Sequence, residues 1–147
     1  MTTLYNTKVT AKGGRDGSVA SDDGLLRLAL TPPQGLGGKG GATNPEQLFA
    51  AGYAACFASA AAHVARTRNI KLDDCAIEVT ADVSLLSSTT GAFSLAVALD
   101  VKIAGVDQST AEDITRTAHG VCPYSNATRG NIEVGLSANG VSLSKSD

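Results

Sequence analysis

Residues 44–68 read NPEQLFAAGYAACFASAAAHVARTR, and this stretch decides the fold that the sequence predicts. Its first residues carry the signals of a helix start. Asn44 is a good N-cap, Pro45 suits the first helical position, and Gln47 has the spacing to complete a capping box with Asn44. We therefore expect a helix from Pro45 to about Arg68.

The middle of this segment, residues 48–65, is apolar on every side of a helix. A helix that is apolar all round is usually buried. An uncharged run of this length also has the length of a membrane span. Its side chains are mostly Ala rather than Leu or Ile, and it contains Ser59 and His63. We therefore expect a central, buried helix with close backbone approaches.

The residues before this helix predict short strands. Residues 1–34 contain short apolar runs, of which 25–30 is the clearest, and the glycine cluster at 13–17 predicts a turn between two such runs. Residues 35–41, GLGGKGG, predict a flexible loop. The N-terminal part thus predicts three strands ahead of the helix.

A β-hairpin is predicted after the helix. Residues 76–86 and 93–103 are strand-like runs separated by the turn residues 87–91. Within 93–103 the large apolar residues fall at odd positions, which is typical of a half-buried strand.

A second helix is expected to begin at Asp107 or Ser109, where Glu112 has capping-box spacing from Ser109, and to end at Pro123. Its expected buried face consists of Ala111, Ile114, Ala118, Val121 and Cys122. A last strand over 131–138 and a loose tail over 139–147 complete the chain. The predicted order is β-β-β-α-β-β-α-β, which favours an α+β fold with mostly antiparallel sheets wrapped around central helices.

Length and charge limit the class of protein. A chain of 147 residues is typical of one domain, residues 1–147. The net charge of -2 and the 18% of charged residues argue against a nucleic-acid partner or a polybasic membrane surface. Three cysteines do not make a disulfide framework, and the N-terminus shows no signal peptide, so a cytoplasmic location is expected.

The cysteines are the residues most able to carry chemistry. Cys56 and Cys122 lie on predicted helices and Cys75 lies near a predicted strand, and three cysteines allow three pairings among which the sequence does not choose. Small buried core residues are the plain alternative. If Cys56 is a nucleophile it must ionise, and it lies about three turns from the helix start, beyond the reach of the helix dipole. A reactive Cys56 therefore needs a cation, best an Arg, from elsewhere in the fold.

The two histidines are expected to be ordinary helix residues. His119 has metal-compatible spacing from Cys122, but the sequence contains no Cys-x-x-Cys pair. We therefore expect no metal site and assign no role to His63 or His119.

Three longer segments carry a resemblance to a known family. They are GGRDG at 13–17, GATNPEQLFAAGYAACF at 41–57 and VCPYSNATRGNI at 121–132. With these segments the chain resembles the organic hydroperoxide resistance (Ohr) family of the osmotically inducible protein C (OsmC) superfamily. The resemblance covers about residues 3–138.

The resemblance implies a thiol peroxidase that protects against organic peroxide stress. Cys56 would be the peroxidatic thiol, Cys122 the resolving thiol, Arg15 the cation beside Cys56, and Glu46 the carboxylate that holds Arg15. A Cys56 sulfenate and then a Cys56–Cys122 disulfide would form, with no bound cofactor. The resemblance further implies a lipoyl dithiol on a partner protein as reductant, and an intertwined homodimer with active sites at its interface. It gives Cys75 no role.

Two other functions remain open on the sequence alone. The chain could be a module that binds an apolar ligand without catalysis, with Cys56 and Cys122 as core residues. It could also be a hydroperoxide sensor that uses the same thiol as a signal. For the peroxidase, an apolar substrate pocket is expected, with Phe49, Phe57, Tyr124 and the Ala-rich helix as candidate walls.

Overall fold

A computed structural model describes residues 1–144 of the chain. The chain divides into two compact units, Met1–Leu48 and Phe49–Asp147. The α+β class is confirmed, with three helices and two sheets among the described residues. The expectation of one domain over residues 1–147 stays a prediction.

The first unit contains a three-stranded antiparallel sheet. Its strands are β1, Val9–Lys12, β2, Ser18–Ser21, and β3, Arg27–Ala29, in the order β1-β2-β3. The three strands expected in residues 1–34 are confirmed. Short 3₁₀ turns occur at Gly14–Asp16 and Gln34–Leu36.

Helix α1 spans Pro45–Thr67, close to the predicted bounds. The predicted N-cap is confirmed, because Asn44 Oδ1 accepts a hydrogen bond from the Gln47 backbone N–H at 2.9 Å. In place of the return bond of a capping box, Gln47 Oε1 accepts from the hydroxyl of Thr43 at 2.8 Å.

The burial of α1 differs from the expectation. Its buried side chains lie on one stripe: Tyr53, Phe57, Ala60, Ala61, Val64 and Ala65. Ala51, Ala55 and Ser59 are exposed in the single chain, so the helix is not buried all round. These three residues form an exposed outer face of the helix among residues 1–144. By length and composition α1 also meets the requirement for a membrane span, a test that core helices pass as well.

The second unit contains a four-stranded sheet in the order β4-β5-β6-β7. The strands are β4, Ile77–Ser87, β5, Phe93–Ile103, β6, Val134–Ala138, and β7, Val141–Leu143. Only β5 and β6 pair in parallel among the described strands, so the prediction of mostly antiparallel pairing is confirmed. The odd positions of β5 from Val97 onward are buried, as predicted, whereas Phe93 is exposed.

Helix α2 spans Gln108–Val121 and begins at Asp107, whose Oδ1 accepts from the Thr110 N–H at 2.8 Å. Its buried face agrees with the prediction except at Val121, which is 48% exposed. Pro123 ends α2 as predicted, but it also starts a further helix, α3, over Pro123–Thr128. The missing N–H of proline is tolerated at a first helical position, which is why the same residue serves both ends.

The expectation of a loose tail from residue 139 is wrong for the residues that the structure describes. Asn139 and Gly140 have φ of 46° and 83°, and they form the turn between β6 and β7. Asn-Gly is favoured in two-residue hairpin turns for this reason. The Asn139 side chain also bonds both backbone groups of Ile103, at 2.8 and 3.2 Å. The observed order is β-β-β-α-β-β-α-α-β-β, and the tail's last residues, 145–147, lie outside the described residues.

Candidate active site

Arg15 lies in the 3₁₀ turn that joins β1 to β2 in the first unit. Gly13 and Gly14 have φ of 77° and 57°, values that glycine adopts without strain. A Cβ on Gly17 would lie 1.8 Å from the carbonyl oxygen of Lys12, so this position accepts no side chain. The glycine cluster therefore makes the tight turn that presents Arg15.

Glu46 binds Arg15 through both oxygens of its carboxylate. The two hydrogen bonds are 2.8 Å from Arg15 Nη1 and 2.5 Å from Nη2. The hydrogen bond from Arg15 lowers the pKa of Glu46, and the bond to Glu46 raises the pKa of Arg15. The side chain of Arg15 is 42% exposed and that of Glu46 is 16% exposed, so the pair lies at the surface. It holds both charges in one defined geometry.

Cys56 and Cys122 meet in the second unit. Helix α1 carries Cys56, and Cys122 is the single residue between α2 and α3. Their Sγ atoms lie 3.7 Å apart and both are free thiols, with Cys122 fully buried and Cys56 partly buried. Two sulfurs 66 positions apart in the chain are thus within reach of a disulfide after a small movement.

The surroundings of Cys56 favour its neutral form. Burial raises the pKa of the Cys56 thiol, the Tyr124 backbone N–H acts in the opposite direction, and the neighbouring Cys122 raises the pKa further. Desolvation disfavours a charged sulfur unless a cation or enough hydrogen-bond donors compensate. A reactive Cys56 would therefore need a cation in the folded second unit as well.

The four predicted site residues thus form two pairs. The structure joins Arg15 to Glu46 within the first unit and Cys56 to Cys122 within the second. Cys75 is exposed and lines a cavity of about 420 Å³ whose lining includes neither Cys56 nor Cys122, so it lies apart from the thiol pair.

The aromatic residues fall into two groups. Phe49, Tyr53 and Tyr124 lie together, with ring centroids 5.7 to 6.4 Å apart, and two of them were expected as pocket walls. Phe57, also expected as a wall, is fully buried and lies 6.5 Å from the ring of His119. A cavity of about 510 Å³ beside His119 is not lined by Cys56 or Cys122.

Sequence reasoning missed a buried polar cluster beside the thiols. The Tyr53 hydroxyl lies 2.9 Å from Ser125 Oγ and 3.2 Å from Thr128 Oγ1, and His119 Nδ1 lies 2.9 Å from Ser125 Oγ. The one signal available was Tyr53 itself, since a tyrosine on the buried face of an Ala-rich helix needs a partner for its hydroxyl. Its partners lie 72 and 75 positions away, and no local pattern identifies them.

The described residues, 1–144, contain no ready-made set of metal ligands. No group of three or more His, Cys, Asp or Glu side chains is arranged there to hold a metal ion. The chemistry available to the described site is that of two thiols and one ion pair.

Comparison with known proteins gives a consistent result. The family model described as OsmC-like protein matches residues 38–137. Organic hydroperoxide resistance protein OhrA of Bacillus subtilis is 51% identical over 136 residues, covering 90% of this chain and 94% of the relative. Organic hydroperoxide resistance protein OhrB of the same organism is 46% identical over 134 residues, covering 90% and 96%.

Solved structures agree with the sequence relatives. An organic hydroperoxide resistance protein of Vibrio cholerae, with captopril bound in one of its active sites, superposes with a TM-score of 0.92 at 50% identity, covering 97% of both chains. An organic hydroperoxide resistance protein of Legionella pneumophila superposes with a TM-score of 0.88 at 54% identity, covering 93% of this chain and 98% of the other.

Proposed function

Because this chain belongs to the organic hydroperoxide resistance proteins of the OsmC-like family, we propose that it is a cysteine-based peroxidase that reduces organic hydroperoxides to alcohols. The observation that carries the proposal is the 3.7 Å approach of Cys56 Sγ and Cys122 Sγ. Membership supports a role in resistance to organic hydroperoxides and oxidative stress. The steps below assign that role to named atoms.

In the first step the Cys56 thiolate attacks the outer oxygen of the peroxide ROOH. The O–O bond breaks, the sulfur is oxidised to a sulfenic acid, and the alkoxide takes up a proton to leave as ROH. Cys56 is suited to this step because it is only partly buried, whereas Cys122 is fully buried.

In the second step the thiol of Cys122 attacks the sulfenic sulfur. An S–S bond forms, the S–O bond breaks, and water leaves. An external dithiol then reduces the disulfide and is itself oxidised to a disulfide. We propose a lipoyl group on a partner protein as this dithiol, so the chain binds no cofactor of its own.

Arg15 is the proposed cation for the reacting sulfur. An unperturbed thiol is already about 3% ionised at pH 7, so complete ionisation gains only roughly thirtyfold in rate. The remaining acceleration comes from orienting the peroxide and stabilising charge on its oxygens. A guanidinium has donors for a sulfur and an oxygen together, and the bond to Glu46 fixes the orientation of Arg15.

The proposed substrates are alkyl and lipid hydroperoxides. The proposal is that Phe49 and Tyr124, whose ring centroids lie 6.4 Å apart, form an apolar approach to the sulfur. Each buried CH₂ of a substrate contributes about 0.8 kcal/mol, so four such groups supply roughly 3 kcal/mol, over a hundredfold. A long-chain hydroperoxide should therefore be reduced more efficiently than hydrogen peroxide, and comparable kcat/KM values for the two would contradict this.

We also propose that the chain works as a cytoplasmic homodimer. Met1, Leu4 and Tyr5 are 131%, 95% and 76% exposed in the single chain, and the outer face of α1 presents Ala51 and Ala55. Exposed apolar surface of this kind is usually covered by a partner. Equilibrium sedimentation giving a monomer at micromolar concentration would exclude the dimer.

The central experiment compares three cysteine variants in hydroperoxide consumption with dihydrolipoamide as reductant. Cys56→Ser should abolish consumption, and Cys122→Ser should stop disulfide formation and trap the sulfenic acid. Cys75→Ser is the matched control and should retain the wild-type rate, because Cys75 is exposed and lies outside the pair. Undiminished consumption by Cys56→Ser would refute the peroxidase.

The same experiment separates the two other functions. A module that only binds an apolar ligand would consume no hydroperoxide as the wild-type chain. A sensor would be oxidised once and would not turn over with the dithiol. Mass mapping after one equivalent of organic hydroperoxide identifies which cysteines have joined.

A further inference from the structure

The buried polar cluster ties α1 to α3 at a point three residues before Cys56. The Tyr53 hydroxyl contacts Ser125 Oγ at 2.9 Å and Thr128 Oγ1 at 3.2 Å. Tyr53 and Ser125 are fully buried, and Thr128 is 6% exposed. Since a buried hydroxyl without a partner is costly, these bonds favour one position of α3 on α1.

The position of α3 determines what lies beside Cys56. Cys122 immediately precedes α3, and the backbone N–H of Tyr124 donates to the sulfur of Cys56. A displacement of α3 therefore moves the second sulfur and this N–H donor together. Both contacts depend on distance, because a sulfur must approach to bond and a hydrogen bond weakens as it lengthens.

Helix α3 also lies close to α1 at a second point. The Tyr124 ring covers Gly52, where an added Cβ would lie 2.7 Å from the tyrosine oxygen. Tyr53 is thus flanked along α1 by Gly52 and, one turn later, by Cys56. Its hydroxyl provides the polar interactions in the contact between α1 and α3.

We propose that Tyr53 is a positioning residue for the thiol chemistry. Its hydroxyl holds α3 where Cys122 and the Tyr124 N–H both face Cys56. The catalytic meaning of this role rests on the proposed function, whereas the geometric role does not. Tyr53 acts on the sulfurs through α3 and contacts no reacting atom.

The cluster makes Tyr53 testable with a small change. Tyr53→Phe keeps the buried ring and removes one oxygen. Ser125 Oγ then keeps His119 Nδ1 as a partner, and Thr128 Oγ1 keeps its bond to the Ser125 carbonyl oxygen at 3.2 Å. The variant therefore leaves neither side chain without a hydrogen bond, and it should fold.

Two readouts report on the sulfurs rather than on folding. The first is the rate at which diamide, which takes up two electrons and two protons, converts Cys56 and Cys122 to a disulfide. The second is the pH dependence of Cys56 alkylation by iodoacetamide, measured on its own peptide by mass spectrometry. We expect Tyr53→Phe to slow disulfide formation about three- to tenfold. The alkylation profile should shift to higher pH, because losing the Tyr124 N–H raises the pKa of Cys56 more than moving Cys122 away lowers it.

Thr115→Val is the matched control. Thr115 is fully buried on α2, and its Oγ1 donates to the Ala111 carbonyl oxygen at 2.8 Å within the same helix. This variant also loses a buried hydroxyl from the second unit, so thermal stability should fall by a similar amount. Neither the disulfide rate nor the alkylation profile should change.

The proposal fails if Tyr53→Phe lowers thermal stability but keeps the wild-type disulfide rate and alkylation profile. If that variant does not fold, Thr128→Val removes one of the two α3 partners, and wild-type values there would overturn the proposal equally. Neither diamide nor iodoacetamide is a peroxide. If the wild-type chain reduced no organic hydroperoxide, the proposed function would be wrong. The role of Tyr53 would still be decided by the diamide and iodoacetamide measurements.

Discussion

The two residue pairs of the candidate site are built in opposite ways. Arg15 and Glu46 are opposite charges joined by two hydrogen bonds, in a pair that is open to solvent on the arginine side. Cys56 and Cys122 are free cysteines whose sulfurs lie 3.7 Å apart, and Cys122 has no exposed surface. One pair depends on charge and the other on packing.

This difference is the reason that the proposed peroxide chemistry requires both pairs. Burial raises the pKa of the Cys56 thiol, so the packed pair resists the charge that the reaction needs. The ion pair contains the positive charge of Arg15, and an exposed ion pair contributes only about 0–1 kcal/mol to stability. Arg15 can therefore exchange part of its bonding with Glu46 for a bond to another anion at little cost.

The largest expected effect is the loss of the cation, which tests whether the two pairs act together. Arg15→Gln should slow hydroperoxide reduction at least about a hundredfold and shift Cys56 alkylation to higher pH. A charge at ~4 Å with an effective dielectric of ~20 is worth about 4 kcal/mol, roughly three pKa units. Stopped-flow reduction and the alkylation profile measure both effects.

Arg27→Gln is the control for this loss of charge. Arg27 is exposed on β3 of the same unit, so its substitution changes the net charge equally. If the Arg15 and Arg27 variants behave alike, the two pairs work independently and the proposed role of Arg15 is wrong.

The second effect concerns the thiol pair alone. A disulfide between Cys56 and Cys122 closes a loop of 66 positions, which the chain-entropy model values at about 4 kcal/mol before any strain. Oxidised protein should therefore melt roughly 5–15 °C above reduced protein in calorimetry. The Cys122→Ser variant, treated with the oxidant that forms the disulfide in the wild-type protein, should show no such rise in melting temperature. Equal melting of both wild-type forms, with the bond verified by mass mapping, would mean that strain offsets the loop effect.

The third effect concerns the ion pair alone. Glu46→Gln removes the carboxylate charge, which by itself would favour a thiolate near Arg15. We nevertheless expect peroxide reduction to slow about tenfold, because Arg15 loses the partner that orients it. Glu78→Gln, which breaks the exposed pair with Lys102, is the control and should have no effect. An unchanged rate with Arg15 still ordered in a crystal structure would contradict this role.

The smallest effect belongs to the polar cluster beside the thiols. Burial, followed by the charge of Arg129, lowers the pKa of His119. As the pH falls below about 6.5, the unfolded chain takes up a proton that the folded ring resists, so stability is lost. Denaturant titrations at pH 8 and pH 5.5 should show a smaller difference for His119→Gln than for wild type. An identical difference would mean that His119 does not contribute.

The parts of the fold that the sequence predicted are those with local signals. The caps at Asn44 and Asp107 depend on side chains three residues from the N–H groups that they accept from. The alternation in β5 follows from the period of a strand. For the site, the chemistry of a buried thiol predicted that a cation is needed. The roles of Arg15, Glu46 and Cys122 were implied only by the family resemblance, because residues so far apart in the chain form no local pattern.

Other features could not be predicted because one residue can serve two structures. Pro123 ends α2 and begins α3, so the proline alone did not reveal a third helix. The sequence predicts a loose tail from Asn139, although Asn-Gly is also a hairpin signal. The contact of Asn139 with Ile103, which the sequence does not show, decides in favour of the hairpin. The partners of Tyr53 are separated from it by over seventy positions, and only the fold brings them together.

The contact between Gly52 and Tyr124 has a consequence for protein engineering. The atom that an added methyl group would meet is the far end of a tyrosine side chain that is 39% exposed, and such a ring can swing outward without disturbing the backbone. Substituting Ala and then Ser at position 52 would displace the ring in graded steps. That series would test whether the proposed preference for large hydroperoxides depends on the position of this ring, with both cysteines and all charged residues unchanged in the sequence.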